Sequence, residues 1–163
     1  MKYIGKIVRT ETDIWQEYLR LALEGEEVGI LLYDKGKYRH SVYFFLQAME
    51  KQVRAKIFSF VNPDTEYFRN RVRTHNLDEL LDFLIEIVSN KENIRDQVKG
   101  QLEEHVLDGV KFGMLHNNLR YPIYREKSRS YSHLVIDEDD ADRMWEKLKK
   151  LKVFISDINL LTR

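Results

Sequence analysis

The residues best suited to chemistry in this chain are three basic clusters: Lys35, Lys37, Arg39 and His40; Arg69, Arg71, Arg73 and His75; and Arg120, Arg125, Lys127 and Arg129. Tyr38, Tyr67, Tyr121, Tyr124 and Tyr131 interleave with them. A guanidinium pairs bidentately with phosphate and a phenol ring stacks on a base, so the mixture suits a nucleotide or single-stranded RNA. The competing reading is that acids elsewhere, above all Asp137, Glu138, Asp139, Asp140 and Asp142, neutralise these clusters across the fold or a dimer. A further polar set, Gln47, Lys51 and Arg54, shares one face at i, i+4 and i+7 of a helix. There a glutamine, or the neighbouring Glu50 and Lys51, can fix helix register as well as touch a ligand.

Several chemistries have no candidates. Lys and Arg number 27 and Asp and Glu 27, so the chain is neutral, and any polyanion site must come from local segregation of charge. The lack of cysteine removes disulfides, thiolate metal sites and cysteine nucleophiles, and is compatible with a cytoplasmic location. No apolar run is long enough for a signal peptide or a membrane span. No metal site and no cofactor are expected. His105 and His116 fall on one face of a continuous helix, but roughly 16 Å apart, beyond the reach of one ion, and His105 with Asp108 makes only part of a site. The Gly25 and Gly29 region lacks the Gly-Lys-Ser/Thr ending of a phosphate loop, and no Gly-x-Ser-x-Gly elbow occurs.

The elements that must position these side chains are helical. With 163 residues, 43% of them hydrophobic, and only 2 prolines and 7 glycines, the chain reads as one all-α domain over residues 1–163. The expected architecture is an antiparallel up-and-down bundle of about four to five helices, occupying about residues 10–160. Helix 1 begins near Thr10 or Thr12, carries Gly25 and Gly29 against a close neighbour, and ends at a left-handed Gly36. Helix 2 runs from about Lys37 to Phe60 with Val42, Phe45, Leu46, Met49, Val53 and Ile57 at steps of three and four. Asn62-Pro63-Asp64 reads as a cap with proline at the first helical position, and Asn76 caps a third helix through Val88. A fourth helix is predicted from Asn90 to about Leu119, halted by Pro122. Tyr121 to Ile136 lacks periodicity, and a last helix opens at Asp137.

Gly36-Lys-Tyr-Arg-His-Ser-Val-Tyr-Phe-Phe-Leu-Gln-Ala-Met-Glu-Lys-Gln-Val-Arg-Ala-Lys56 resembles the second-helix signature of the HEPN family (higher eukaryotes and prokaryotes nucleotide-binding domains). Thr74-His75-Asn76-Leu77-x-x-Leu80-Leu81 is similar to the family's next landmark, and Arg120-Tyr121-Pro122 to its third. All three occur in family order, and the resemblance covers nearly the whole chain. It implies a helical bundle, usually a homodimer, that binds a nucleotide or RNA and acts as partner of a minimal nucleotidyltransferase in a two-component, toxin–antitoxin type system. Under that reading Arg120 with Arg125 contacts phosphate, Tyr121 or Tyr124 supplies a stacking surface, and Tyr38 and Lys51 carry the other landmark. Where the family often has an acid after Arg-Tyr-Pro, this chain has Ile123, followed by Tyr124 and Arg125, which implies an altered site there.

The resemblance also implies an alternative. Ribonuclease members carry an arginine, commonly Asn, Asp or His next, then a histidine a few residues on, and Arg69-Asn70-Arg71-Val72-Arg73-Thr74-His75 fits that pattern. The arginine can stabilise a pentavalent phosphate while the histidine moves a proton, so cleavage needs no metal. Position counts against the match, because His75 falls on the landmark ahead of the third helix, whereas the nuclease motif lies late in the bundle. Residues six apart on a helix point roughly 120° away from each other, so Arg69 and His75 converge only if the helix breaks between them. The third reading is a non-catalytic module whose exposed helix faces bind only protein.

Overall fold

The computed structural model describes residues 4–62 and 64–161. Seven α-helices carry the described chain: α1 (Ile14–Asp34), α2 (Tyr38–Phe60), α3 (Glu66–Arg71), α4 (Leu77–Val88), α5 (Glu92–Leu102), α6 (Leu115–Arg120) and α7 (Glu138–Leu161). The fold is all-α, as expected from composition and periodicity. Pro63, expected at a helix start, lies outside the described residues, although Asp64 N–H donates to Asn62 Oδ1 at 2.9 Å as an Asx turn does.

The middle of the bundle is α2. It contacts α1, α4, α6 and α7, and its side chains are buried almost without interruption from Ser41 to Phe58. The turn at Gly36, with φ +69°, folds α2 back along α1. The two helices approach closely because α1 presents glycine: a Cβ on Gly29 would stand 2.7 Å from the fully buried Phe45 ring. Ser41 Oγ donates to the Gly29 carbonyl at 2.8 Å across the same seam. On its other sides α2 receives the Leu80, Leu81 and Leu84 stripe of α4 and the Met144, Leu148, Leu151 and Ile155 stripe of α7.

Capping explains the boundaries that follow the sequence reading. Asn76 Oδ1 accepts from Asp78 N–H at 3.0 Å to open α4. Asp137 and Asp140 cap α7 reciprocally, each carboxylate accepting the other's backbone N–H at 2.9 and 3.2 Å.

Three expectations are corrected. Helix α1 starts at Ile14 after the extended Asp13 (φ −61°, ψ 138°), and Thr10 and Thr12 lie outside it, bonded to each other Oγ1 to Oγ1 at 2.9 Å. The long fourth helix is broken: α5 passes into a π-helical turn, Glu103–Leu107, and the chain then reverses through left-handed Asp108 (φ 48°) and Gly109 (φ 74°). Finally, the stretch expected to be irregular between Tyr121 and Ile136 contains a β-hairpin, β1 (Ile123–Arg125) and β2 (Ser130–Ser132), in register Ile123 to Ser132, Tyr124 to Tyr131 and Arg125 to Ser130.

Candidate functional site

The central helix buries a carboxylate, and two histidines from other elements close over it. Glu50 of α2 has a side chain only 4% exposed. His75 lies in the link between α3 and α4, and His116 lies in α6. Glu50 Oε2 is 3.5 Å from His75 Nδ1, and Oε1 is 3.7 Å from His116 Nδ1. The two imidazoles stack with centroids 4.7 Å apart and planes 4° from parallel. His116 is buried, whereas the His75 side chain is 72% exposed and gives the cluster its solvent face. Glu50 Oε1 has no hydrogen-bond partner although it is out of reach of solvent. Burial raises the Glu50 pKa, against the nearby charges of His75, Arg54 and Lys51. Burial likewise lowers that of His116, helped by His75 and Arg120, so its imidazole is neutral at neutral pH.

Each half of the cluster is tied down from below. Arg54, one turn beyond Glu50 and buried, donates from Nη1 to the Val72 carbonyl and from Nη2 to the Thr74 carbonyl, gripping the link that carries His75. Thr74 Oγ1 accepts from Asn76 N–H at 3.0 Å and fixes the turn after it. Asp78 of α4 accepts from Phe112 N–H at 2.9 Å and Gly113 N–H at 3.0 Å, which sets the entry to α6 and so the place of His116.

Cations collect on the outer side of His116. Arg120, one turn on, donates from Nη1 to His116 Nε2 at 3.1 Å. Its guanidinium also lies 4.9 Å from the Tyr121 ring centroid and donates to Tyr121 Oη at 2.9 Å. Because a guanidinium only donates, this bond puts the His116 proton on Nδ1, the nitrogen facing Glu50. Gln47 Nε2, itself a donor, stands 3.4 Å from His116 Nδ1 and in this tautomer makes only a contact there, while Lys51 Nζ donates to Gln47 Oε1 at 3.3 Å. One face therefore presents Lys51, His75 and Arg120 over the buried His116, with the exposed Tyr121 beside them.

The structure brings together only part of the predicted set. Arg120, Tyr121 and Lys51 share this face. Tyr124 and Tyr131 pair across the hairpin, both 66% exposed, and Arg125 donates to Ser132 Oγ at 3.2 Å further along it. Among the described residues no ion pair joins Arg120, Arg125, Lys127 or Arg129 to a carboxylate, so the acids of α7 do not neutralise this cluster within the chain. Glu138 and Asp142 instead accept from Tyr33 Oη, at 3.4 and 2.5 Å. Tyr38 packs beside Tyr33, with ring centroids 5.6 Å apart, and its pKa is raised by burial and by Glu138, so it belongs to that cluster and not to the Arg120 face.

The helix does break between Arg69 and His75, since α3 ends at Arg71. Even so, among the described residues no hydrogen bond, ion pair or ring contact joins the two. Arg71 is committed to Glu86 at 2.7 Å, and Arg39 to the carbonyls of Asn118, Leu119 and Leu134. Glu50 and His116 join the site beyond the residues expected from the sequence. The signals for them were Glu50 within Gln-Ala-x-Glu-Lys and the i, i+4 spacing of His116 and Arg120.

A helical bundle whose middle helix holds a buried carboxylate beneath histidines and exposed cations defines an all-α module with one polar, cation-rich site. The HEPN domain family model matches residues 15–158, and the chain belongs to that family. Membership makes it a helical module of the nucleotide- and RNA-related kind. No curated protein and no solved structure matches it. Among the described residues no helix is long and apolar enough to cross a membrane.

Proposed function

We propose that the protein binds a nucleotide or RNA by its phosphate on the face formed by Arg120, His116, His75 and Lys51, with Tyr121 and, along the hairpin, Tyr124 and Arg125 extending the contact. The observation that carries this reading is that, among the described residues, no carboxylate pairs with Arg120: its guanidinium rests on a neutral imidazole and a phenol, contacts that a phosphate can replace at little cost. The neighbouring cations reinforce it, and the exposed rings offer bases a stacking surface. In this reading the chain works as a homodimer and as partner of a minimal nucleotidyltransferase in a two-component, toxin–antitoxin type system.

Fluorescence anisotropy with ATP, GTP and a short single-stranded RNA, all in EDTA, tests the binding. Arg120→Ala is expected to weaken it at least tenfold, whereas Tyr38→Phe leaves it unchanged. Equal binding by wild type and Arg120→Ala refutes the site.

A specific observation favours a second reading, a metal-independent endoribonuclease. Exposed His75 has its Nδ1 beside the Glu50 carboxylate, the support a proton-transferring imidazole needs, and Arg120 stands in the same cluster where Arg69 does not. RNA incubated with the protein in EDTA separates the readings: cleavage that disappears in His75→Ala establishes the nuclease, and its absence leaves binding alone.

A further inference from the structure

We propose that Glu50, His75 and His116 form a binding site for a divalent transition-metal cation of the zinc class. Their ligating atoms come from three separate elements and all lie within 4.8 Å of one another. An ion with tetrahedral bonds of about 2.0–2.2 Å holds its ligands roughly 3.3–3.6 Å apart. The two separations, 3.5 Å from His75 Nδ1 to Glu50 Oε2 and 3.7 Å from His116 Nδ1 to Glu50 Oε1, run to different carboxylate oxygens, are too long for strong hydrogen bonds, and would close onto one ion with a small movement of the His75 ring. An independent observation points the same way: Glu50 Oε1 is buried, faces the cluster and has no partner. An orphaned carboxylate oxygen in a dry position is costly, and a cation is the ligand that satisfies it.

The donor set selects the ion. Two imidazoles and one carboxylate suit zinc and its first-row neighbours, whereas magnesium and calcium need an all-oxygen shell. The supports that hold such ligands are present, Arg54 beneath His75 and Asp78 beneath the entry to α6. The exposure of His75 leaves the remaining coordination position toward solvent. Because the rings lie parallel, one must rotate for both lone pairs to meet a single ion, and His75 is the ring free to do so.

Loading the site changes Arg120. An ion on His116 Nδ1 moves the ring proton to Nε2, which then confronts the Arg120 N–H that it accepts in the free protein. Arg120 must leave, so cation binding frees its guanidinium. Lys51, Arg54 and Arg120 make the surroundings positive, which weakens cation binding relative to a site without them.

The inference does not rest on the nucleotide reading, which is measured in EDTA and fails or stands separately. The test is calorimetry on the full chain with zinc and cobalt chlorides at neutral pH, with the visible absorption of bound cobalt as a report on geometry. The expected result is one ion per chain, no heat with magnesium, and at least tenfold weaker binding in both Glu50→Gln and His75→Ala. Arg120→Ala binds as tightly as wild type or tighter. His75 is exposed, so His75→Ala keeps the test open even if Glu50→Gln fails to fold. No saturable binding by wild type overturns the proposal, as does unchanged affinity in folded His75→Ala, which assigns the ion to another surface histidine.

Discussion

Arg54→Met removes the grip on the link that carries His75 while keeping most of the aliphatic volume of the side chain. Arg54 is 9% exposed, and its guanidinium donates to the carbonyls of Val72 and Thr74. A hydrogen bond from a charged group contributes about 1.5–3 kcal/mol, and the two act on one short segment, so their losses do not add fully. Thr74 is half-buried and recovers water when the arginine goes; Val72 is buried and does not. The expected cost is therefore roughly 2–4 kcal/mol, a large part of a domain stability of about 5–15 kcal/mol. Urea melts at neutral pH should show the midpoint falling with the slope unchanged. Arg54→Lys supplies one ammonium for two carbonyls and should recover about half of the loss. Amide exchange at Thr74 and His75 should quicken more than in α4, because the link loosens before the helix does. A loss below about 0.5 kcal/mol, or equal losses for the Met and Lys variants, refutes the clamp.

The α1–α2 seam gives a paired test. Gly29→Ala drives a Cβ to 2.7 Å from the Phe45 ring, and overpacking should outweigh a helix-propensity gain of about 1 kcal/mol, for a net loss of roughly 1–2 kcal/mol in thermal melts. Gly25→Ala meets nothing nearer than 3.8 Å and should be neutral or stabilising by up to about 1 kcal/mol. Arg71, bonded to Glu86, holds the Glu86 pKa below its ordinary value, so the pair stabilises α3 on α4 at neutral pH and loses that contribution as pH falls through the lowered value. The partial exposure of both groups keeps the effect near about 0.5 kcal/mol, and a double-mutant cycle with Glu86→Gln and Arg71→Met should find the coupling at neutral pH and lose it in acid. Arg69→Ala should change neither RNA binding nor cleavage, measured by anisotropy and gel, and should leave stability within about 0.5 kcal/mol.

Helix α2 was legible from its apolar steps, and α4 and α7 from apolar steps that agree with their caps: Asn76 and the Asp137–Asp140 pair mark starts that the structure keeps. The break after α5 was not. Apolar residues at helical spacing continue from Val98 through Val106 and Val110 to Leu115, and periodicity reports which face is buried without reporting whether the backbone is continuous. Gly109 and the left-handed Asp108 reverse the chain, yet Val106 and Leu119 both reach the core from separate elements. That break also places His105 and His116 in different elements and not on one unbroken helix. His105 lies in the π-helical turn, and α6 carries His116 to Glu50.

Polar residues between the apolar steps of a helix usually face water, and Glu50 does not. Helix α2 is enclosed by α1, α4, α6 and α7, so Glu50, Gln52, Arg54 and Lys56 are buried on faces where a peripheral helix would expose them. Apolar residues of similar volume in such places are often as stable or more so, which makes buried charges weak evidence for stability and a useful sign of another role. Arg54 has its role in the backbone it holds, with two carbonyls bonded to its guanidinium. Glu50 differs: its own protein leaves one oxygen unpartnered, between two imidazoles held by separate elements. A scaffold alone would be better served by glutamine or leucine at that position, which sets Glu50 apart from the other polar residues of α2.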